Sequence, residues 1–86
     1  MKRQIPIGRT STEALMRRAA FAIGVDDVRS GVAPDYDGQD DRYWAYERGR
    51  QWACLAPVSM PLKVGDRLNP AAVALCKVAI ERGLII

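Results

Sequence analysis

The sequence of 86 residues contains no histidine and only two cysteines, Cys54 and Cys76. A structural zinc site usually takes four ligands from these two residue types, so none is expected within one chain. The longest apolar runs, residues 19–23 and 71–76, fall far short of the roughly 20 residues that span a bilayer. Residues 1–6 carry charge without an apolar stretch behind them, which is unlike a signal peptide. We therefore expect a cytoplasmic protein that has no membrane contact.

The absence of histidine also removes the commonest general base from any catalytic arrangement. Neither cysteine lies in a recognisable nucleophile motif, and no glycine-rich loop could cradle a phosphate. Glu47 and the aspartates are acids by type, but their spacing does not place two of them across a substrate. Both thiols fall within apolar helical patterns and are expected to be reduced core residues. The sequence thus predicts a binding protein and not an enzyme, with no cofactor and no metal.

A chain of this length has room for one domain with one modest core, and nearly half of its residues are apolar. Residues 1–9 lack periodicity and include Pro6 and Gly8, which predicts a flexible arm. A single helical domain is expected over residues 10–86. Such a short chain buries only about 60–65% of its unfolded surface, so a partner or a second copy would add to its stability.

The first predicted helix starts at a capping box. Thr10 and Glu13 are three residues apart, just before an apolar run at helical spacing. Gly24 is a natural C-terminal stop, and residues 25–30 could add one more turn.

The second predicted helix follows a segment rich in glycine, proline and aspartate. It is expected to begin near Asp40 or Asp41, either of which can cap it, and to run to about Leu55. Gly49 in its interior costs about 1 kcal/mol relative to alanine. Close packing against another backbone would explain that glycine.

A third helix is predicted after residues 61–68, which alternate enough for a short strand or a turn. Asn69 suits the N-cap position and Pro70 the first helical position. Residues 71–82 are apolar almost all round, so this helix is expected at the buried centre of the fold. The tail of residues 84–86 should either fold back onto the core or lie at an interface. The predicted fold class is mainly α, with three helices and a long acidic loop between the first and second.

That loop contains the nearest approach to a ligand cluster. Its aspartates and their one glycine are Asp35, Asp37, Gly38, Asp40 and Asp41. A calcium loop of the EF-hand kind needs glycine at its sixth position and glutamate at its twelfth. Counting from Asp35, the glycine falls at the fourth position and a tyrosine at the twelfth, so the pattern fails. We expect a solvated loop that also caps the following helix.

Charge is distributed unevenly, although the net charge is only +3. Basic and acidic side chains number five and one in residues 1–24, one and six in residues 25–41, and seven and three in residues 42–86. Ten of the thirteen cations are arginine, which suits bidentate contact with phosphate or carboxylate. Aromatic residues and arginines are interleaved after the loop, as at protein hot spots and on base-stacking surfaces. The simpler interpretation places the tryptophans in the core and the arginines in water.

A resemblance to a known family extends over residues 19–56. Small residues lie at Ala20, Gly24 and Gly31, and Pro34 follows soon after. This spacing is similar to that in the first half of ribosome modulation factor, a family of small bacterial proteins. Residues 44–53 resemble the second half of that family, and residues 46–51 are also similar to small phage and prophage proteins of Gram-negative bacteria. The resemblance implies two helices joined by a loop, and binding to ribosomal RNA. This chain departs from the family in its lower basicity, its acidic loop and its added third helix.

Three functions are consistent with these features. The first is a small non-enzymatic accessory or regulatory protein of phage or prophage type, which binds and modulates a host protein as an inhibitor would. Its acidic loop could imitate nucleic-acid phosphate and occupy a basic groove. The contact residues predicted for it are Asp35, Asp37, Asp40, Asp41, Arg42, Tyr43, Tyr46 and Arg50.

The second is an RNA-binding modulator of the ribosome modulation factor kind, with phosphate contacts predicted at Arg3, Arg9, Arg17, Arg18, Arg48 and Arg50. The third is a small structural module that forms a homodimer, with its interface at residues 84–86. RNA binding is expected to weaken steeply as the salt concentration rises, because each neutralised phosphate releases a counterion.

Overall fold

A computed structural model describes residues 11–38 and 43–86, and it confirms a small, mainly helical fold. Along the chain the elements are α1 Thr12–Met16, α2 Ala19–Arg29, α3 Tyr43–Leu55, β1 Lys63–Val64, β2 Arg67–Leu68 and α4 Pro70–Glu81. The end of the second predicted helix at Leu55 is confirmed. The predicted arm over residues 1–9 and the predicted caps at Asp40 and Asp41 lie outside the described residues.

The first predicted helix is in fact two helices, because the chain is extended at Arg18 (φ −67°, ψ 138°). The predicted cap is wrong by one residue: the Ser11 hydroxyl accepts the Ala14 N–H at 3.0 Å and caps α1. Leu15 and Gly24 are nine residues apart, roughly two and a half turns, and would face opposite sides of one continuous helix. The break between α1 and α2 allows both to be buried.

Gly24 does not end a helix, contrary to the prediction. The helix α2 continues through it to Arg29, and the stop is Gly31, whose φ of 70° is left-handed. The Val32 N–H closes this helix end by donating to the Asp27 carbonyl oxygen at 2.8 Å. Gly24 lies in a helix interior because α2 packs there against α3.

The helices α2 and α3 form the most extensive contact in the fold, and their backbones approach closely. A Cβ at Gly24 would collide with the carbonyl oxygen of Tyr46, and a Cβ at Gly49 with the carbonyl oxygen of Phe21. The prediction that Gly49 permits close packing is therefore confirmed. The rings of Phe21 and Trp52 lie 6.3 Å apart between centroids, and both are fully buried at the core of the domain.

The segment before α4, where a short strand or a turn was predicted, is a short antiparallel hairpin of two strands joined by a turn. In its ladder Lys63 pairs with Leu68, and Gly65 in the turn has a φ of 64°. The start of α4 is also confirmed: Asn69 is its N-cap and Pro70 its first residue. The Asn69 amide reaches back as well and donates to the carbonyl oxygen of Pro61 at 2.9 Å, which ties the hairpin to the helix.

The helix α4 is not at the buried centre of the fold, contrary to the prediction. Its buried residues share one face: Ala72, Cys76 and Ala79. Val78, on the other side, is 44% exposed. A chain this short has too few residues to cover a helix on all sides, so part of the apolar surface of α4 faces solvent.

The two thiols lie in different environments. Cys76 is buried, as predicted, and burial raises the pKa of its thiol to about 11. Cys54 is exposed, so its prediction as a core residue is wrong. Its neighbour Ala53, and not Cys54, lies on the buried face of α3.

The C-terminal tail folds back through a single residue. Gly83, with a φ of 73°, ends α4, and Ile85 is buried. Leu84 and Ile86 on either side remain exposed. The fold-back prediction is therefore confirmed for one of the three terminal aliphatic residues.

Candidate binding surface

The acidic loop follows α2, and its described part, residues 31–38, is exposed throughout. Asp35 Oδ1 accepts the Gly38 N–H at 3.0 Å and forms a local turn that contains Asp37. The side chain of Tyr36, in the same turn, is 42% exposed. The remaining predicted loop residues lie outside the described part of the chain: Asp40, Asp41 and Arg42.

Tyr46 anchors this loop from within the fold. It is fully buried, so its prediction as a surface contact is wrong. Its hydroxyl donates to Asp27 Oδ2 at 2.5 Å and accepts the Asp35 N–H at 3.0 Å. Burial raises the pKa of Tyr46, and the hydrogen bond to Asp27 raises it further, so the hydroxyl keeps its proton at neutral pH. One side chain of α3 thus joins the end of α2 to the acidic loop.

A second set of hydrogen bonds holds Tyr36. Its hydroxyl donates to Glu47 Oε1 at 2.6 Å and accepts from Arg50 Nη1 at 3.0 Å. Arg50 also pairs with the same carboxylate oxygen at 3.2 Å. The Tyr36 ring meets the Tyr46 ring edge-on, with centroids 5.7 Å apart. Arg50 is half-buried and engaged within the chain, so it supports the loop and offers a partner little free surface.

Glu47 connects this network to the C-terminal tail. Its Oε2 accepts a hydrogen bond from Gln51 Nε2 at 3.2 Å, and Gln51 Oε1 accepts the Ile86 N–H at 2.9 Å. Burial by itself raises the pKa of Glu47, but the hydrogen bonds that the carboxylate accepts hold its pKa below the ordinary value. The carboxylate is therefore ionised at neutral pH, which is the form that accepts from all of these donors.

The arginines predicted for RNA contact divide into exposed side chains and side chains engaged within the fold. Arg17 and Arg18 are exposed at the break between α1 and α2, where the Arg18 guanidinium lies 4.9 Å from the centre of the Trp44 ring. Arg48 is half-buried and donates to the Trp44 carbonyl oxygen at 2.9 Å, and burial lowers its pKa. With Arg50 bound in the Tyr36 network, two of the four described arginines serve the fold. The other two of the set, Arg3 and Arg9, lie outside the described residues.

The predicted host-contact residues therefore divide by exposure. Asp35, Asp37 and Tyr43 are exposed, and Tyr43 is 50% exposed at the start of α3. Tyr46 and Arg50 lie beneath the loop and hold it in place. A hydrogen bond joins the exposed Asp35 to this support, because its N–H donates to the Tyr46 hydroxyl.

Sequence reasoning did not identify Asp27, Tyr36 or Glu47 as members of this site. One signal was available, because Glu47 and Arg50 are three residues apart on a helix, a spacing at which side chains pair. The bond between Asp27 and Tyr46 gives no local signal, since nineteen residues separate them along the chain.

We expect Tyr46→Phe to lower the free energy of unfolding by about 1–3 kcal/mol, because Asp27 and the Asp35 N–H lose a buried partner while the ring is kept. Urea unfolding measures the loss, and hydrogen exchange should become faster at the Asp35 amide. The control is Tyr43→Phe, whose ring is half exposed and whose effect should stay within about 0.5 kcal/mol. Equal losses in the two variants would contradict the anchoring role of Tyr46.

None of the described helices is long and apolar enough to cross a bilayer. Over residues 11–38 and 43–86, no three side chains of metal-binding type come together. Comparison with family models, with curated proteins and with solved structures finds no match for this chain. The resemblance to ribosome modulation factor and to phage proteins therefore stays a prediction.

Proposed function

We propose that this protein is a small, non-enzymatic accessory protein of phage or prophage type, which binds a basic surface of a host protein stoichiometrically and modulates it. The acidic loop is the contact segment. The observation that carries the proposal is the anchoring of this loop by the Tyr46 hydroxyl and by the Tyr36–Glu47–Arg50 network. A segment that is held in place before binding loses less conformational entropy when it binds.

The chemistry of the loop favours a cationic partner. Asp35 and Asp37 are exposed, within a stretch of the chain where acidic side chains outnumber basic ones by six to one. Tyr36 and Tyr43 add half-exposed aromatic rings, and aromatic residues are enriched in binding hot spots. Carboxylates along an exposed segment can take the place of nucleic-acid phosphates in a basic groove. The phage or prophage type rests on the resemblance of residues 46–51.

The test compares partner capture by the tagged protein and by a loop variant, defined as Asp37→Asn, Asp40→Asn and Asp41→Asn together. Both are incubated with bacterial lysate, with and without ribonuclease, and bound proteins are identified by mass spectrometry. We expect one host protein to be recovered with the unaltered chain, and at least about tenfold less of it with the loop variant. Ribonuclease should leave its recovery unchanged.

A matched control removes the same charge from exposed carboxylates outside the loop: Asp26→Asn, Asp66→Asn and Glu81→Gln. This control variant should recover the host protein as the unaltered chain does. Equal recovery with the loop variant would overturn the proposal. Ribosomal proteins that disappear on ribonuclease treatment would support the RNA-binding function in its place.

A further inference from the structure

A groove of about 750 Å³ lies between α1, the β1–β2 hairpin and α4. Its apolar surface is formed by four residues: Leu68, Pro70, Val73 and Ala74. The volume falls within the range of about 300–1,000 Å³ that is typical of ligand sites. The groove is therefore large enough for a segment of polypeptide chain.

The charged side chains of the groove favour an anionic occupant. The cations that line it are Arg17, Lys63, Arg67 and Lys77. Two carboxylates also line it, and one of them, Glu13, lies 4.0 Å from Lys77. Four cations and two carboxylates therefore surround a partly apolar surface, which gives the groove lining a net charge of +2. An occupant that combines carboxylates with some apolar surface is complementary to this lining.

A nucleic acid is less complementary to the groove than a peptide is. Among the described residues that line it, none is aromatic, so bases would find no ring to stack on. The carboxylates of Glu13 and Asp66 repel phosphates, whereas they can accept hydrogen bonds from peptide N–H groups. These features point to an acidic peptide segment.

We infer that the groove binds the acidic loop of a second copy of this chain. Asp35 and Asp37 supply the negative charge, and the exposed part of the Tyr36 ring can cover the apolar surface of the groove. The loop of the same chain is held elsewhere, because it is bound to Tyr46 and Glu47, and neither residue lines the groove. Only another copy can therefore supply the loop while these anchors are intact.

This contact joins two different surfaces, so one copy can bind a second, and the second a third. Such a contact closes into a two-fold dimer if each loop enters the groove of the other copy, and otherwise it produces larger rings or open chains of subunits. The self-association uses the loop of the proposed function but needs no host protein. A host protein that binds the loop would compete with it, so free protein would associate and bound protein would not.

Sedimentation equilibrium of the purified full-length protein, treated with ribonuclease, tests the inference. At low salt we expect the average mass to rise with concentration, and at high salt we expect the monomer mass, since screening weakens contacts between exposed charges. A groove variant, Lys63→Gln with Arg67→Gln, and the loop variant should each associate at least about tenfold more weakly. Circular dichroism checks that both variants are folded.

Mixing the two variants gives the sharpest result. The groove variant keeps an intact loop and the loop variant keeps an intact groove, so an equimolar mixture should form dimers and nothing larger. A monomeric unaltered chain at all concentrations and at low salt would overturn the inference, whatever the variants do. So would association that survives in both variants, or that is lost in a Leu84→Ser and Ile86→Ser variant, which would identify the tail as the interface. Failure here would leave the host-capture result unaffected, so the two proposals are distinguishable.

Discussion

Replacing Gly49 by alanine is expected to lower the free energy of unfolding by about 3 kcal/mol or more. The same change in an exposed helix interior would raise it by about 1 kcal/mol. The sign reverses because the added Cβ would collide with the carbonyl oxygen of Phe21. This obstacle is helix backbone, so no side-chain rotation can relieve it and α2 must move away from α3. In a domain of this size a loss of 3 kcal/mol lowers Tm by roughly 12–24 °C.

Thermal and urea unfolding measure this effect, and two further glycines make the comparison specific. Gly24→Ala should be similarly destabilising, because its Cβ would meet the carbonyl oxygen of Tyr46. At Gly31 no atom lies within 4 Å of an added Cβ, and the cost of about 1–2 kcal/mol comes only from the left-handed backbone. Gly49→Ala at or above wild-type stability would show that the two helices do not cross as closely as described.

Trp52→Ala is expected to cost about 3–5 kcal/mol, the range found for removing a large buried ring. The side chain is fully buried, and its Nε1–H donates to the carbonyl oxygen of Ala72 at 3.2 Å. It is therefore both the largest buried side chain of α3 and a direct link from α3 to α4. The Arg29 guanidinium also lies 5.2 Å from the centre of its ring and would lose that contact.

The control for this prediction is Trp44→Ala. Trp44 is the other tryptophan of α3, but it is half-buried and packs at the edge of the core, beneath the Arg18 guanidinium. We expect it to cost about 1 kcal/mol. Urea unfolding followed by circular dichroism suits both variants, because neither result then depends on tryptophan fluorescence. Equal losses would contradict the assignment of Trp52 as the central core residue.

The elements that the sequence predicted well are those with local causes. Asn69 and Pro70 start a helix because a side-chain cap and a fixed φ need nothing beyond the first turn. The end of α3 at Leu55 follows in the same way from Pro57, which disfavours helical backbone in the residue before it. The hairpin around Gly65 was predicted only as a short strand or a turn, although it also depends on a few neighbouring residues.

The elements that it predicted poorly have distant causes. Gly24 has the local pattern of a helix stop. It is instead a helix-interior residue without a side chain, because the Tyr46 backbone, more than twenty residues away along the chain, packs directly against it. The all-round apolar pattern of α4 indicated a central helix, yet the chain is too short to surround it. In the candidate site, the exposure of Asp35 and Asp37 was predicted, whereas Tyr46 was predicted to be exposed and is buried. Its burial depends on how α2 and the loop pack over α3.

By itself, the sequence determined the mainly helical class, the acidic character of the loop, and the helix ends at Leu55 and Asn69, because composition, caps and turns act over a few residues. Only the tertiary structure decided the close crossing at Gly24 and Gly49, and the anchoring of the acidic loop through Tyr46 and Tyr36. These features depend on which backbone lies opposite a residue, and that is a property of helices brought together from distant parts of the chain. A local pattern contains no information about such a neighbour, so it cannot distinguish a glycine that ends a helix from one that allows two helices to touch.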